Sequence, residues 1–190
     1  MKGNIIILSA PSGTGKSSII KHLMKTRPDL DLHFSISATN RSPRKGEQHE
    51  REYYFLSDEE FRSKVEAGEF VEWQEVYDDT YYGTLMSEVK RVVDAGHTLI
   101  MDIDVMGSLD LKKRFGDDAL SIFILPPSIQ ELEKRLHNRG TDSDDVVAMR
   151  LAKAGYEMTF APQFDCVVVN DEFDKAAEDV ADKIEAFIKK

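Results

Sequence analysis

The clearest chemistry in the chain lies in one unbroken stretch, Ala10-Pro11-Ser12-Gly13-Thr14-Gly15-Lys16-Ser17. It follows a short β-branched run, Asn4-Ile5-Ile6-Ile7-Leu8-Ser9, and leads into a helical pattern from Ser17 to about Lys25. At such a strand-to-helix turn, free backbone N–H groups and the positive end of the helix dipole face an anion. Lys16 then reaches the β- and γ-phosphates of a triphosphate such as ATP, and the Ser17 hydroxyl ligates Mg²⁺. Ala10 stands where the pattern G-x-x-x-x-G-K-[ST] has its first glycine, so the backbone there must either use ordinary angles or bear some strain. Asp102 ends another apolar run and is followed by Ile103 and Asp104. Strand alternation would send both carboxylates to one face, where Asp102 helps hold Mg²⁺ through water.

These groups need a scaffold, and the apolar pattern supplies one. Thr98–Ile103, Leu120–Leu125 and Cys166–Val169 read, with the first run, as buried strands, each followed by a helical pattern. Ser128 predicts an N-cap, with Glu131 completing a capping box, for a helix whose Ile129, Leu132 and Leu136 share one face. A last helix repeats Phe173, Ala177, Val180, Ile184, Phe187 and Ile188 at spacings of three and four, with an acidic solvated face opposite. Alternating strands and helices imply an α/β fold of the P-loop NTPase type: a parallel sheet covered by helices on both faces, with ligands at the carboxyl ends of the strands. The stretch 33–86 breaks this rhythm with short alternating runs and glycine turns. It reads as a small, mostly β insertion into a core made of residues 1–32 and 87–190.

Composition narrows the classes further. The 190 residues are 41% apolar and 32% charged, enough to bury a core and too apolar for disorder. A net charge of −10 with no basic run argues against nucleic-acid or anionic-membrane partners. No apolar stretch approaches the roughly 20 residues of a membrane span, and the opening residues do not form a secretory signal. The lone Cys166 sits in an apolar run, reads as a buried structural thiol and fits the reducing cytoplasm. The five histidines are scattered and none falls in an H-E-x-x-H spacing. Nothing in the sequence specifies an oligomeric state.

A phosphate loop is shared by GTPases, transport ATPases and small-molecule kinases. The chain has neither Asn-Lys-x-Asp nor Leu-Ser-Gly-Gly-Gln, which leaves the kinases. It resembles the guanylate kinases over essentially its whole length, about residues 3–187. The carrying segments are Ser9 to Ser17, Phe34 to Glu47 (FSISATNRSPRKGE), Tyr53-Tyr54-Phe55, Phe70-Val71-Glu72-Trp73, Tyr81-Tyr82-Gly83-Thr84, Asp102 to Gly107, Pro126-Pro127-Ser128, Arg135 to Gly140 and Val169-Asn170-Asp171. The resemblance implies transfer of the γ-phosphoryl of Mg·ATP to GMP, giving ADP and GDP, in purine nucleotide metabolism. Residues 33–86 would then be the GMP-binding insertion, and about 137–150 a lid.

By the same resemblance Arg41, Arg44, Tyr53 and Tyr82 hold the GMP phosphate, and Ser37, Glu72, Thr84 and Asp104 read guanine. Arg135, Arg139 and Arg150, with Lys16 and Arg41, act catalytically on the transferred group, and Asn170 lies near the adenine. Arg forks and phenol hydroxyls match a phosphate dianion. An ionised Glu72 accepts from guanine N1–H and N–H₂ together, whereas adenine offers an acceptor at N1. The chain departs from the family in Ala10, in Asn40 where Thr is usual, and in a Tyr77–Thr80 loop one residue longer, which keeps Tyr81 as the alternative to Tyr82. The remaining alternatives are a kinase of another nucleoside monophosphate and a nonenzymatic guanylate-kinase-like phosphopeptide module; intact Gly15, Lys16 and Ser17 weigh against the second.

Overall fold

The computed structural model describes residues 3–77, 79–138 and 143–190. Among them, one parallel sheet has the order β2-β7-β1-β8-β9, built from β1 (Asn4–Ser9), β2 (Leu32–Phe34), β7 (Thr98–Asp102), β8 (Ala119–Leu125) and β9 (Cys166–Val169). The β1–β8 and β8–β9 ladders are parallel, with Ile7 opposite Ser121 and Ile124 opposite Val168. A mixed sheet has the order β4-β3-β6-β5, from β3 (Ala38–Thr39), β4 (Tyr54–Phe55), β5 (Phe70–Tyr77) and β6 (Thr80–Leu85). The helices are α1 (Lys16–Thr26), α2 (Asp58–Glu66), α3 (Met86–Val93), α4 (Val105–Phe115), α5 (Ile129–Asn138), α6 (Asp144–Met158) and α7 (Phe173–Ile188).

The described residues form two compact units, one within Ile5–Leu32 and Ile100–Lys190, the other within His33–Leu99 together with Gly3 and Asn4. In the first, Ile5 to Leu8 are fully buried, as a central strand covered on both faces requires. Ile6 and Leu8 pack with Ile19, Ile20 and Leu23 of α1 and with Ala177, Val180 and Ile184 of α7. Each such side chain contributes roughly 1.5–3 kcal/mol by leaving water, so this layer is what holds α1, and the loop before it, against the end of β1. In the second unit, β5 and β6 form an antiparallel hairpin that pairs Glu72 with Thr84 and Trp73 with Gly83. Gly83 cannot be larger, because a Cβ there would lie 2.7 Å from the Glu72 carbonyl oxygen and from Trp73 Cβ. Among the described residues, no helix is long and apolar enough to cross a membrane.

Several sequence expectations shift in detail. The run from His33 is divided: Leu32–Phe34 is an edge strand of the five-stranded sheet, and a new sheet begins only at Ala38. The stretch 33–86 also contains α2, whose polar sequence buries only Phe61 and so shows little apolar period. Its signal was Ser57-x-x-Glu60, a capping box in which the Ser57 hydroxyl accepts from Glu60 N–H at 3.1 Å and Glu60 accepts from Ser57 N–H at 2.7 Å. At Ser128 the hydroxyl does accept from Glu131 N–H at 3.1 Å, while the Glu131 carboxylate lies beside Arg135 and Lys134. β9 is not buried on both faces. It is a sheet edge with Val168 inside, Cys166 half-buried, and Val167 and Val169 exposed. Phe173 is likewise outside the core, edge-on to His22 at 5.4 Å.

Candidate functional site

The loop between β1 and α1 takes its shape from two glycines. Gly13 has φ 93° and Gly15 φ 101°, the left-handed region that other residues resist, and Gly15 is the N-cap of α1. Ala10 is not among the positive-φ residues, so of the two alternatives the missing first glycine is accommodated without left-handed strain. The turn sets Lys16 and Ser17 in the first turn of α1 and aims both at the end of β7. Lys16 Nζ forms an ion pair with Asp102 and donates to the Ile103 carbonyl at 3.3 Å. Ser17 Oγ donates to the other Asp102 oxygen at 3.0 Å.

Asp104 reaches the same place by another route than alternation. β7 ends at Asp102, and Asp104 is the extended N-cap of α4, accepting from Gly107 N–H at 3.0 Å. The loop, Asp102 and Asp104 line a cavity of about 330 Å³ together with Arg150, Lys153 and Glu157 of α6. Arg150 Nη1 donates to Ser12 Oγ at 3.3 Å. Lys153 and Glu157 were not singled out from the sequence. Their signal is spacing, since Arg150, Lys153 and Glu157 fall at i, i+3 and i+7 on one helical face. The Glu157 carboxyl is pushed up from its ordinary range by burial, against the pull of Lys153 at 3.7 Å and of Lys16.

Two further residues serve the loop from behind. Asn170 is buried, and its side-chain amide donates to the Thr14 carbonyl at 2.6 Å. Arg135 Nη1 donates to the Asn170 carbonyl at 3.0 Å, and its Nε lies 3.4 Å from Glu131. Arg139 and residues 140–142 of the expected lid lie outside the described residues.

The other unit gathers a different set of groups. Arg41 donates from Nε to Tyr82 Oη at 3.2 Å and from Nη2 to both Glu47 carboxylate oxygens at 2.9 and 3.0 Å, with its guanidinium 5.4 Å from the Tyr53 ring centroid. Glu47, which sequence reasoning missed, also accepts the Arg44 N–H at 2.7 Å; that bond and Arg41 hold its carboxyl below the usual range despite partial burial. Tyr53 and Tyr82 stand edge to face at 5.8 Å, and burial raises the Tyr53 phenol. Tyr81 points elsewhere, stacked on Phe61 and bonded to Arg62 at 3.2 Å, so Tyr82 is the tyrosine beside Arg41. Asn40 sets this choice at the start of β6 by donating to Asp79 O and accepting from Tyr81 N–H, both at 2.7 Å.

On the same face of the hairpin, Thr84 Oγ1 donates to Glu72 Oε1 at 2.8 Å, with Thr84 fully buried. Ser37 immediately precedes β3, whose Ala38 pairs with Gly83, and its carbonyl accepts from Tyr54 N–H at 2.9 Å. That segment is braced by Glu88, a side chain with no exposure. Glu88 accepts from Ile36 N–H at 3.0 Å, Tyr54 Oη at 2.8 Å and Arg91 at 2.8 Å, so its carboxyl stays below the usual range although burial opposes this. No alternation rule singled out Glu88.

The geometry thus holds a phosphate loop with a lysine, a hydroxyl and a strand-end carboxylate in one unit, and an Arg–Tyr cluster beside a Glu–Thr pair in the other. The guanylate kinase family model matches residues 2–187. A guanylate kinase of Porphyromonas gingivalis is 54% identical over 186 residues, covering 98% of each chain. One from Bacteroides thetaiotaomicron is 52% identical over 190 residues, covering all of this chain and 92% of its own. The crystal structure of guanylate kinase from Anaplasma phagocytophilum superposes with a TM-score of 0.75 at 29% identity, covering 99% of this chain and 87% of that one. With motif, geometry and full-length identity in agreement, the chain belongs to the guanylate kinase family, the ATP:GMP phosphotransferases.

Proposed function

We propose that Ala10 to Ser17 bind the triphosphate of ATP, that Arg41, Arg44, Tyr53 and Tyr82 hold the phosphate of GMP, and that Ser37, Glu72 and Thr84 read its guanine. The observation that carries the reading is the convergence of Lys16 and Ser17 on Asp102 at the mouth of a cavity that Arg150 also lines. Ser17 Oγ and the Asp102 carboxylate are hard oxygen donors 3.0 Å apart, the donor type Mg²⁺ takes. Ser17 would hold the ion directly and Asp102 through water. Mg²⁺ bound there neutralises phosphate charge.

The acceptor needs no general base, because the second pKa of a phosphate monoester is about 6 and GMP is largely a dianion near neutral pH. The protein's task is therefore positioning and charge compensation. Lys16 draws negative charge off the γ-phosphoryl as it moves, and Arg135 and Arg150 add cationic donors. Arg41 and the two phenols fix the attacking oxygen's phosphate. Glu72 fixes the other end of GMP: Thr84 occupies one carboxylate oxygen, leaving acceptor capacity for guanine N1–H and N–H₂. Asp104, assigned to guanine by resemblance, is engaged by Gly107 N–H, and we assign it first to capping α4. Half-buried Cys166 suits a reducing compartment, the cytoplasm.

The test is a coupled ADP-release assay with Mg·ATP against GMP, AMP, CMP and UMP, using K16A as the blank. Turnover with GMP alone, lost in K16A, is expected. No turnover with any of the four from folded protein would overturn the enzymatic reading and direct attention to phosphopeptides.

A further inference from the structure

Asn170 occupies a junction that base recognition does not explain. It follows β9, is 4% exposed, and has three polar connections in different directions. Its backbone N–H donates to Leu125 O at 2.8 Å, continuing the β8–β9 ladder. Its carbonyl receives Arg135 Nη1 at 3.0 Å. Its side-chain Nδ2 donates to Thr14 O at 2.6 Å across 156 residues of sequence. Contact with the loop is close, since a Cβ on Gly15 would lie 2.6 Å from Nδ2.

A trans peptide is planar, with its C=O and the following N–H on opposite sides. Turning the Thr14 carbonyl toward Asn170 therefore turns the Gly15 N–H away from it. Gly15 lines the cavity together with Lys16 and Ser17, which makes that space the one open to an N–H turned away from Asn170. Gly15, at φ 101° and without a Cβ, is the residue at which this peptide could most readily turn over, which would present a carbonyl oxygen to the anion. We propose that Asn170 is a positioning residue for phosphoryl transfer. It locks the Thr14–Gly15 peptide with its N–H toward the donor's phosphates and, through its own carbonyl, keeps Arg135 in register with the loop. This deepens the assignment of Ala10 to Ser17 as the triphosphate site and rests on it. It replaces the placement of Asn170 beside adenine with a role that is blind to the base.

The test uses a probe without a base. Calorimetric titration of the full chain with tripolyphosphate, ATP and GMP is compared for the wild type, N170A and N170D. N170D conserves volume and, ionised, cannot donate to Thr14 O, so titrations are run at two pH values to exclude a protonated donor, and thermal melting checks that each variant is folded. Both variants should lose about tenfold or more in affinity for tripolyphosphate and ATP alike, with GMP affinity within about twofold of the wild type. In turnover, KM for ATP rises while KM for GMP does not, a split that general loosening of the fold would not produce. Unchanged tripolyphosphate affinity in folded N170D, whether or not ATP affinity falls, overturns the proposal.

If neither variant folds, amide NMR of the wild type decides. Tripolyphosphate should move the Gly15 N–H strongly downfield as it takes a charge-assisted hydrogen bond, and an unmoved Gly15 N–H overturns the proposal. Failure of the underlying reading looks different, because the wild type itself would then not bind tripolyphosphate.

Discussion

Substituting Glu72 by glutamine tests the guanine reading at the level of single hydrogen bonds. In the hairpin Glu72 Oε1 already accepts from Thr84 Oγ1 at 2.8 Å, and buried Thr84 leaves little freedom to rearrange. The amide in E72Q can leave its oxygen at Thr84, which turns its NH₂ toward the base so that donor meets donor, or give its NH₂ to the Thr84 hydroxyl, which can also accept, and keep a single neutral acceptor for the base. Either way the carboxylate that met two N–H groups is lost. A lost charge-assisted hydrogen bond costs roughly 1.5–3 kcal/mol, and a donor left facing a donor roughly 1–3 kcal/mol more. The expected fall in kcat/KM for GMP is therefore about 10² to 10⁴ where both costs apply, since 1.36 kcal/mol is tenfold, and about 10-fold to 10² where only the charge-assisted bond is lost. Steady-state kinetics with GMP and IMP side by side provide the check. IMP lacks the exocyclic amino group, so the wild type should prefer GMP strongly and E72Q should narrow that preference, with KM for ATP unchanged. An E72Q enzyme within about threefold of the wild type on GMP would refute the reasoning.

Further substitutions follow from the same geometry. S17A removes the hydroxyl that meets Asp102 at 3.0 Å and should raise the Mg²⁺ concentration for half-maximal rate by about tenfold, read from a metal titration at fixed ATP. R41K replaces a fork engaged by Tyr82 and Glu47 with a point charge; KM for GMP should rise about tenfold while KM for ATP stays level. E88A leaves Ile36 N–H and Tyr54 Oη without their acceptor and should cost about 2–3 kcal/mol, a fall in Tm of about 5–10 °C. Because the folded-state pKa of Glu88 lies below its ordinary value of 4.5, its ionic contribution is fully present above that value and fades as pH falls through the folded value. The Tm gap between E88A and wild type should thus be widest at neutral pH and shrink below about 4.5.

Local sequence determines those parts of this protein whose physics is local. A β-branched run followed by glycines, Lys16 and Ser17 already specifies a strand, a glycine turn and a helix. Their agreement with the structure reflects interactions spanning a few residues. The family's segments, read in order, likewise indicated the reaction and the Arg–Tyr cluster. What sequence could not reveal depends on which distant residue arrives beside which. Asn170 and Thr14, far apart in the chain, meet because β9 ends beside the loop. Glu47 takes the Arg41 fork, Glu88 braces Ile36 and Tyr54, and Lys153 and Glu157 line the cavity beside Lys16 by the register of α6. Each of these side chains is charged or polar, a type that sequence patterning assigns to solvent by default. Only tertiary packing buries or orients such groups, because their partners come from elements that share no periodicity with their own. The choice between Tyr81 and Tyr82 was of this kind as well: alternation places them on opposite faces, and only Asn40 and Arg41 together decide which of them stands beside the Arg41 guanidinium.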